Sequence, residues 1–115
     1  MKDNLIADKS KQFAVRIIRL YQHLTETNRE FVLSKQILRS GTSIGANVRE
    51  ATQAQSRKDF ISKMQIALKE ASETEYWLEL LHETDYLSDK EYESLAADCS
   101  GVIKILTSIV KTSRS

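Results

Sequence analysis

Residues 40–51 read Ser40-Gly41-Thr42-Ser43-Ile44-Gly45-Ala46-Asn47-Val48-Arg49-Glu50-Ala51. Apolar and small residues recur every three or four positions through this stretch and the one before it, which is typical of one face of a helix: Leu33, Ile37, Gly41, Ile44, Val48 and Ala51. A glycine inside a helix costs about 0.8 to 1 kcal/mol relative to alanine. Two glycines one turn apart therefore need a structural reason, and we expect another backbone to approach closely there.

The same helix also predicts a second contact surface. Gly41 lies on the apolar seam, whereas Gly45 and Asn47 lie off it. An asparagine in such a position can act as a polar lock that fixes register in helical assemblies. We therefore interpret residues 40–51 as an assembly segment.

Composition favours an all-α fold in a single domain. The chain has 115 residues, no proline and three glycines, so the turn residues that punctuate β-proteins are scarce. One cysteine excludes an intrachain disulfide. No apolar run reaches the roughly 18 residues of a membrane span, so we expect no membrane partner and a cytoplasmic location.

Four helices are predicted, at about 6–24, 28–54, 57–84 and 89–111. Three patterns resemble capping boxes, in which a hydroxyl and a carboxylate three residues later satisfy free backbone N–H groups: Thr27-Asn28-Arg29-Glu30, Ser56-Arg57-Lys58-Asp59 and Ser88-Asp89-Lys90-Glu91. The connections are only a few residues long, and short loops force neighbouring helices to be antiparallel. The sequence thus predicts an up-down-up-down four-helix bundle.

Charge is distributed unevenly although the net charge is +1. Residues 1–69 hold 13 Lys and Arg against 6 Asp and Glu, whereas residues 70–115 hold 4 against 10. In the predicted topology one end becomes acidic, and the other collects Lys9, Lys11, Arg49, Arg57, Lys58, Lys63, Lys111 and Arg114. This end is either an ordinary solvated surface or a phosphate-binding face that would multiply in a ring of subunits.

No residue pattern predicts catalysis, a cofactor, a metal or a small-molecule substrate. Glu79-Leu80-Leu81-His82 has the spacing of a di-iron ligand pair, but the second copy that such a site needs is missing. Cys99 lies on the apolar seam of the fourth helix, so we interpret it as a small buried hydrophobe. The glycines do not follow a strand, as a phosphate-binding loop would require.

Trp77, Glu50 and Glu73 each allow two interpretations. Trp77 is either a core residue or the anchor of a subunit interface. Glu50 and Glu73 are either solvated or, with Asn47, part of a polar network at a helix or subunit contact. Such a network would draw its partners from Arg49, Lys69 and Thr74.

Three segments closely resemble the bacterial four-helix-bundle family named for the 23S ribosomal RNA intervening-sequence protein. They are Ser43-Ile-Gly-Ala-Asn-Val-Arg-Glu-Ala51, Ser56-Arg-Lys-Asp-Phe-Ile-Ser-Lys-Met64 and Ile66-Ala-Leu-Lys-Glu-Ala-Ser-Glu-Thr-Glu-Tyr-Trp-Leu-Glu-Leu-Leu81. The resemblance implies a left-handed up-and-down bundle that assembles into homo-oligomeric rings, typically pentamers. A related branch, the accessory variability proteins of diversity-generating retroelements, binds nucleic acid and a reverse transcriptase.

Two functions follow as expectations. The first is a non-enzymatic, ring-forming bundle that serves as an accessory to an RNA or to a nucleic-acid-handling protein. The second is a protein-binding scaffold with no nucleic-acid role. The near-neutral net charge departs from the strongly basic retroelement branch, so the basic end alone supports the first.

Overall fold

The computed structural model describes residues 2–114, with side chains from Asn4 onward, and it is built from four helices. They are α1 (Lys2–Glu26), α2 (Leu33–Thr52), α3 (Arg57–Glu83) and α4 (Asp89–Arg114). No strand occurs within that range. None of the helices in the described part of the chain is long and apolar enough to cross a membrane.

The helices pack as the predicted antiparallel four-helix bundle. Each helix packs against the next one in the chain, and α1 also closes against α4. The molecule measures 44 × 21 × 18 Å, as expected for helices of 20 to 27 residues laid side by side. The all-α prediction and the up-and-down topology are confirmed.

A single apolar core runs along the bundle axis. Its members come from all four helices, including the predicted seam of α2, and the largest fully buried ones include Phe13, Ile17, Ile44, Leu78 and Leu106. The polar side chains at this depth are paired: the hydroxyls of Thr74 and Ser40 lie 2.8 Å apart. Spacing of three and four in the sequence therefore identified the buried faces correctly.

Two of the three predicted capping patterns start helices. At α4 the box is complete, because the Ser88 hydroxyl accepts the Glu91 backbone N–H at 3.1 Å and the Glu91 carboxylate accepts that of Ser88 at 2.9 Å. At α3 the Ser56 hydroxyl accepts the Asp59 N–H at 3.0 Å, without the reciprocal bond. Each cap satisfies donors that the first helical turn leaves open.

The predicted start of α2 at residue 28 is wrong, because the helix begins at Leu33. The backbone N–H groups of Thr27 and Asn28 instead bond to the His23 carbonyl at the end of α1. Arg29 then takes a left-handed conformation, φ 57°, which ends any helical continuation. The other bounds differ by fewer residues: α1 starts before the predicted residue 6, α2 ends at Thr52 rather than 54, and α4 continues to Arg114 rather than 111.

Candidate functional site

Gly41 lies where α1 packs tightly against α2. A Cβ atom at this position would lie 2.7 Å from Cγ2 and 2.9 Å from Cγ1 of Ile17, too short for real carbon atoms. The close contact at Gly41 is therefore with a side chain, rather than with the backbone that the sequence predicted. Gly45 faces Ser10 of the same α1 helix, where an added Cβ would meet atoms at 3.5 to 3.6 Å, an ordinary van der Waals distance.

Gly45 also lines a shallow groove between α1 and α2. The groove has a volume of about 410 Å³, and small residues form much of its floor: Ala7, Ala14, Gly45 and Ala46. Lys11 and Arg49 stand beside it. Because no large side chain fills it, this surface can accept side chains from outside the bundle.

Asn47, Glu50 and Glu73 do not form one network. The Asn47 amide donates to the Ser43 carbonyl within α2 at 2.9 Å, so it locks no second helix of this chain. Glu50 instead forms an ion pair with Lys63, whose Nζ lies 3.1 Å from a Glu50 carboxylate oxygen, and this pair links α2 to α3.

Glu73 does belong to a polar cluster, but not with the partners that the sequence suggested. The Arg39 guanidinium of α2 reaches across to Glu70, at 2.8 Å, and to Glu73. The Trp77 indole N–H donates to the Glu73 carboxylate at 2.9 Å. That hydrogen bond, together with Arg39, holds the pKa of Glu73 below its usual value although burial opposes the shift.

An apolar ridge runs beside this cluster on α3. Trp77 is half-buried and packs against the core, so it is at least partly a core residue. The Tyr76 ring lies 5.4 Å from the Trp77 ring between centroids and is 54% exposed. Ile66, about three turns earlier, is 40% exposed, but it lies roughly 80° around the helix from Tyr76 and is a separate apolar position. The ridge therefore presents apolar side chains to the outside of the bundle.

The basic end gathers cations from all four helices. We use this name for residues 4–12, 49–63 and 107–114, which hold eight basic side chains and three acidic ones (Asp8, Glu50 and Asp59), a net charge of +5. Arg57 Nε donates to the Ser113 carbonyl at 2.9 Å, which ties the start of α3 to the end of α4. Within the described residues no carboxylate lies within 4 Å of five of the cations: Lys9, Lys11, Arg49, Lys58 and Arg114.

A groove of about 760 Å³ opens at this end between α3 and α4. Arg57, Lys58 and Arg114 give it a positive rim, and Ile61 gives it an apolar floor. Since phosphates bind at clusters of exposed cations, this groove is a candidate phosphate-binding surface.

His82 and Cys99 have structural contacts. His82 Nε2 lies 2.7 Å from an Asp89 carboxylate oxygen, and its ring stacks on Tyr92 with centroids 4.2 Å apart. These contacts join the ends of α3 and α4. Cys99 is fully buried, its thiol donates to the Ala71 carbonyl at 3.4 Å, and burial raises its pKa to about 12. Across the described residues no three His, Cys, Asp or Glu side chains converge as metal ligands would.

A family model described as the 23S rRNA-intervening sequence protein matches residues 2–108. The chain belongs to this family. A crystal structure of a protein with unknown function from the S23 ribosomal protein family of Bacteroides thetaiotaomicron is similar, with a TM-score of 0.95, 63% sequence identity, and coverage of 96% of this chain and 99% of that one. A comparison with curated proteins found no match.

Membership in the 23S rRNA-intervening sequence protein family accounts for the fold and for the matching segments, while the similar solved protein is itself of unknown function. Two features of this member do not follow from its sequence patterns. One is Arg39, which bridges two glutamates of α3. The other is the pair Phe31 and Val32, which the sequence placed inside α2 and the structure places in an exposed loop. Pairing between helices, such as that of Arg39, leaves no pattern in a single sequence. The loop did leave a signal, because Asn28, just before the left-handed Arg29, is a residue typical of turns.

Proposed function

We propose that this protein is a non-enzymatic, ring-forming bundle that serves as an accessory to an RNA or a ribonucleoprotein. One observation carries the proposal: four helices converge on one end with a net charge of +5, and five of the cations there have no carboxylate within 4 Å in the described chain. Cations without protein partners are available to phosphates, and each phosphate contact releases condensed counterions. A cation committed to an internal ion pair, such as Lys63, contributes less.

Two different outer surfaces support the ring. A closed ring needs a heterologous contact, in which one patch of a subunit meets a different patch of the next. The groove between α1 and α2 is lined largely by small residues, and the large Tyr76 side chain on α3 is 54% exposed. We propose that the ridge of one subunit packs into the groove of the next. The family resemblance makes five the expected number of subunits.

Parallel subunits in such a ring would place every basic end on one face. Repetition raises the local positive potential and allows several weak contacts to act together. A single subunit with a net charge of +1 is a poor nucleic-acid binder by total charge. A ring would therefore bind structured RNA through one face only.

Binding of a fluorescent structured RNA across a salt series tests the nucleic-acid role. We expect affinity to fall as salt rises, and the double variant Lys58→Glu with Arg114→Glu to reduce the slope of log K against log salt by about 1 to 2 units, because each lost phosphate contact contributes roughly 0.7 to 0.9. The control is Lys35→Glu with Lys90→Glu, which makes the same charge change at the opposite end of the bundle. Undetectable binding, a flat salt response or an equal effect of the control would refute the role and favour a protein-binding scaffold.

Sedimentation velocity at high salt tests the ring separately. We expect the wild type to sediment at several times the 13.1 kDa monomer mass. Ala46→Glu in the groove and Tyr76→Glu on the ridge should each release monomers that keep their helical circular dichroism. Gln36→Glu, an exposed change outside both surfaces, is the control. A wild-type monomer, or intact rings in both variants, would contradict the proposed contact.

A further inference from the structure

The loop between α1 and α2 holds two apolar side chains in solvent. Phe31 is 50% exposed and Val32 is 71% exposed, and they are adjacent in the chain. We call this pair the apolar tip. Exposed apolar side chains in one contiguous patch, rather than scattered singly, are typical of contact surfaces.

The tip is held in place by its own loop. The Glu30 carboxylate accepts backbone N–H groups from Val32, Leu33 and Ser34 at 3.2, 3.0 and 2.7 Å. The Glu30 N–H in turn bonds to the Leu24 carbonyl at 2.9 Å, which fixes the loop to α1. These bonds fix the backbone on either side of the tip, so its exposure is a property of an ordered loop.

Charge around the tip defines what can cover it. The acidic end, residues 19–38 and 79–93, holds eight acidic side chains and four basic ones (Arg19, Arg29, Lys35 and Lys90), a net charge of −4. An anionic lipid surface or an RNA would be repelled there. The Arg29 guanidinium lies over the Phe31 ring, 5.4 Å from its centroid, but carboxylates outnumber cations at this end as a whole. An occupant with apolar surface and a net positive charge therefore complements this end.

The chain itself carries a surface of that chemistry at its opposite end. The groove between α3 and α4 has the Ile61 side chain on its floor and Arg57, Lys58 and Arg114 on its rim. This surface is shallow and open, so side chains of another copy can lie against it. The tip and this groove lie at opposite ends of a molecule that is 44 Å long, so one copy cannot join its own two surfaces.

We propose that the apolar tip of one copy docks in the basic groove of a second copy, head to tail. Phe31 and Val32 would cover Ile61, and the acidic and basic ends would attract each other. The contact is heterologous and does not close, so it extends units into stacks. Each contact is small, and stacking becomes appreciable when a ring repeats it around its circumference. The inference does not rest on the RNA role, although RNA would compete for the same groove.

Sedimentation of nuclease-treated protein at low and high salt, across a wide concentration range, tests the proposal. We expect the wild type at low salt to form species that grow with concentration and return to the mass of the single unit as salt rises. The tip variant, Phe31→Ser with Val32→Ser, and the groove variant, Lys58→Glu with Arg114→Glu, should each fail to grow. The control variant Lys104→Glu, on the middle of α4, should grow as the wild type does.

Mixing the two defective variants gives the decisive result. The tip variant keeps its groove and the groove variant keeps its tip, so an equal mixture should form pairs of units and nothing larger. Absence of growth in the wild type, growth of the tip variant, or absence of pairs in the mixture would each overturn the proposal. Loss of the single unit itself in the tip variant would also overturn it, since Phe31 and Val32 would then belong to the contact within the unit.

Discussion

Alanine at Gly41 should destabilise the bundle, whereas alanine at Gly101 should stabilise it. An added Cβ at Gly41 would lie 2.7 Å from Ile17 Cγ2, while nothing lies within 4 Å of one at Gly101. Both changes gain about 0.8 to 1 kcal/mol of helix propensity. Overpacking at Gly41 costs about 1 to 3 kcal/mol. We therefore expect the free energies of unfolding of the two variants to differ by about 1 to 3 kcal/mol.

Urea unfolding followed by helical circular dichroism, at one protein concentration, measures this difference. A second background identifies the cause. In Ile17→Ala, which removes both clashing γ carbons, the Gly41→Ala change should lose most of its penalty. In Ile17→Val, which keeps both γ carbons, the penalty should persist. Equal effects at Gly41 and Gly101, or an equal penalty in all three backgrounds, would refute the close-approach explanation.

Three further predictions concern the caps and the buried thiol. Burial alone would raise the pKa of Glu30, but the backbone N–H groups that its carboxylate accepts outweigh this effect, and the pKa is lowered. The ionised carboxylate therefore stabilises the fold above pH 4.5, and this contribution is lost as the pH falls through the lowered pKa. Glu30→Gln should cost about 1 kcal/mol at pH 7, and this cost should shrink as the pH is lowered below 4.5; a difference in urea unfolding that stays constant with pH would contradict this. Ser56→Ala should lower the free energy of unfolding by about 1 kcal/mol relative to the exposed control Ser72→Ala, by the same assay, and equal stabilities would exclude the cap. Cys99, buried and with its pKa raised to about 12, should resist iodoacetamide while folded and react in urea, and mass spectrometry showing rapid labelling of the native protein would count against burial.

The helix faces could be read from the sequence because burial in a bundle follows the helical period. Ile37, Ile44 and Val48 fell on the predicted seam of α2 and Cys99 on that of α4, and each is fully buried. The starts of α3 and α4 could also be predicted from the sequence, because a helix cap involves residues only three positions apart. Local patterns suffice when no distant group competes for the same donors.

The start of α2 could not be read in this way. Thr27 and Glu30 match a capping box, but the end of α1 takes the Thr27 N–H for its own carbonyl. Glu30 still caps α2, from a position just outside the helix. The pattern correctly identified the Glu30 carboxylate as a cap of α2 but wrongly assigned the Thr27 hydroxyl to the same cap. It therefore placed the helix start too early, with Phe31 and Val32 inside the helix.

The candidate surfaces could be predicted from the sequence to different degrees. The basic end follows from the topology, because antiparallel helices bring alternate ends together. The Arg39 bridge to Glu70 and Glu73 depends on the relative height of two helices, which no spacing within one helix reports. The same reason explains why Lys63, rather than Arg49, pairs with Glu50.

Opposite charges at the two ends also decide how the molecule behaves toward charged matrices. With a net charge of +1 and a sequence isoelectric point near 7.8, it carries almost no average charge at neutral pH. It nevertheless has a large electric dipole, because +5 and −4 stand at the ends of a 44 Å bundle. Either end can turn toward a resin, so cation and anion exchangers should both retain the protein and both should release it in salt. Its chromatography is governed by its ends rather than by its isoelectric point.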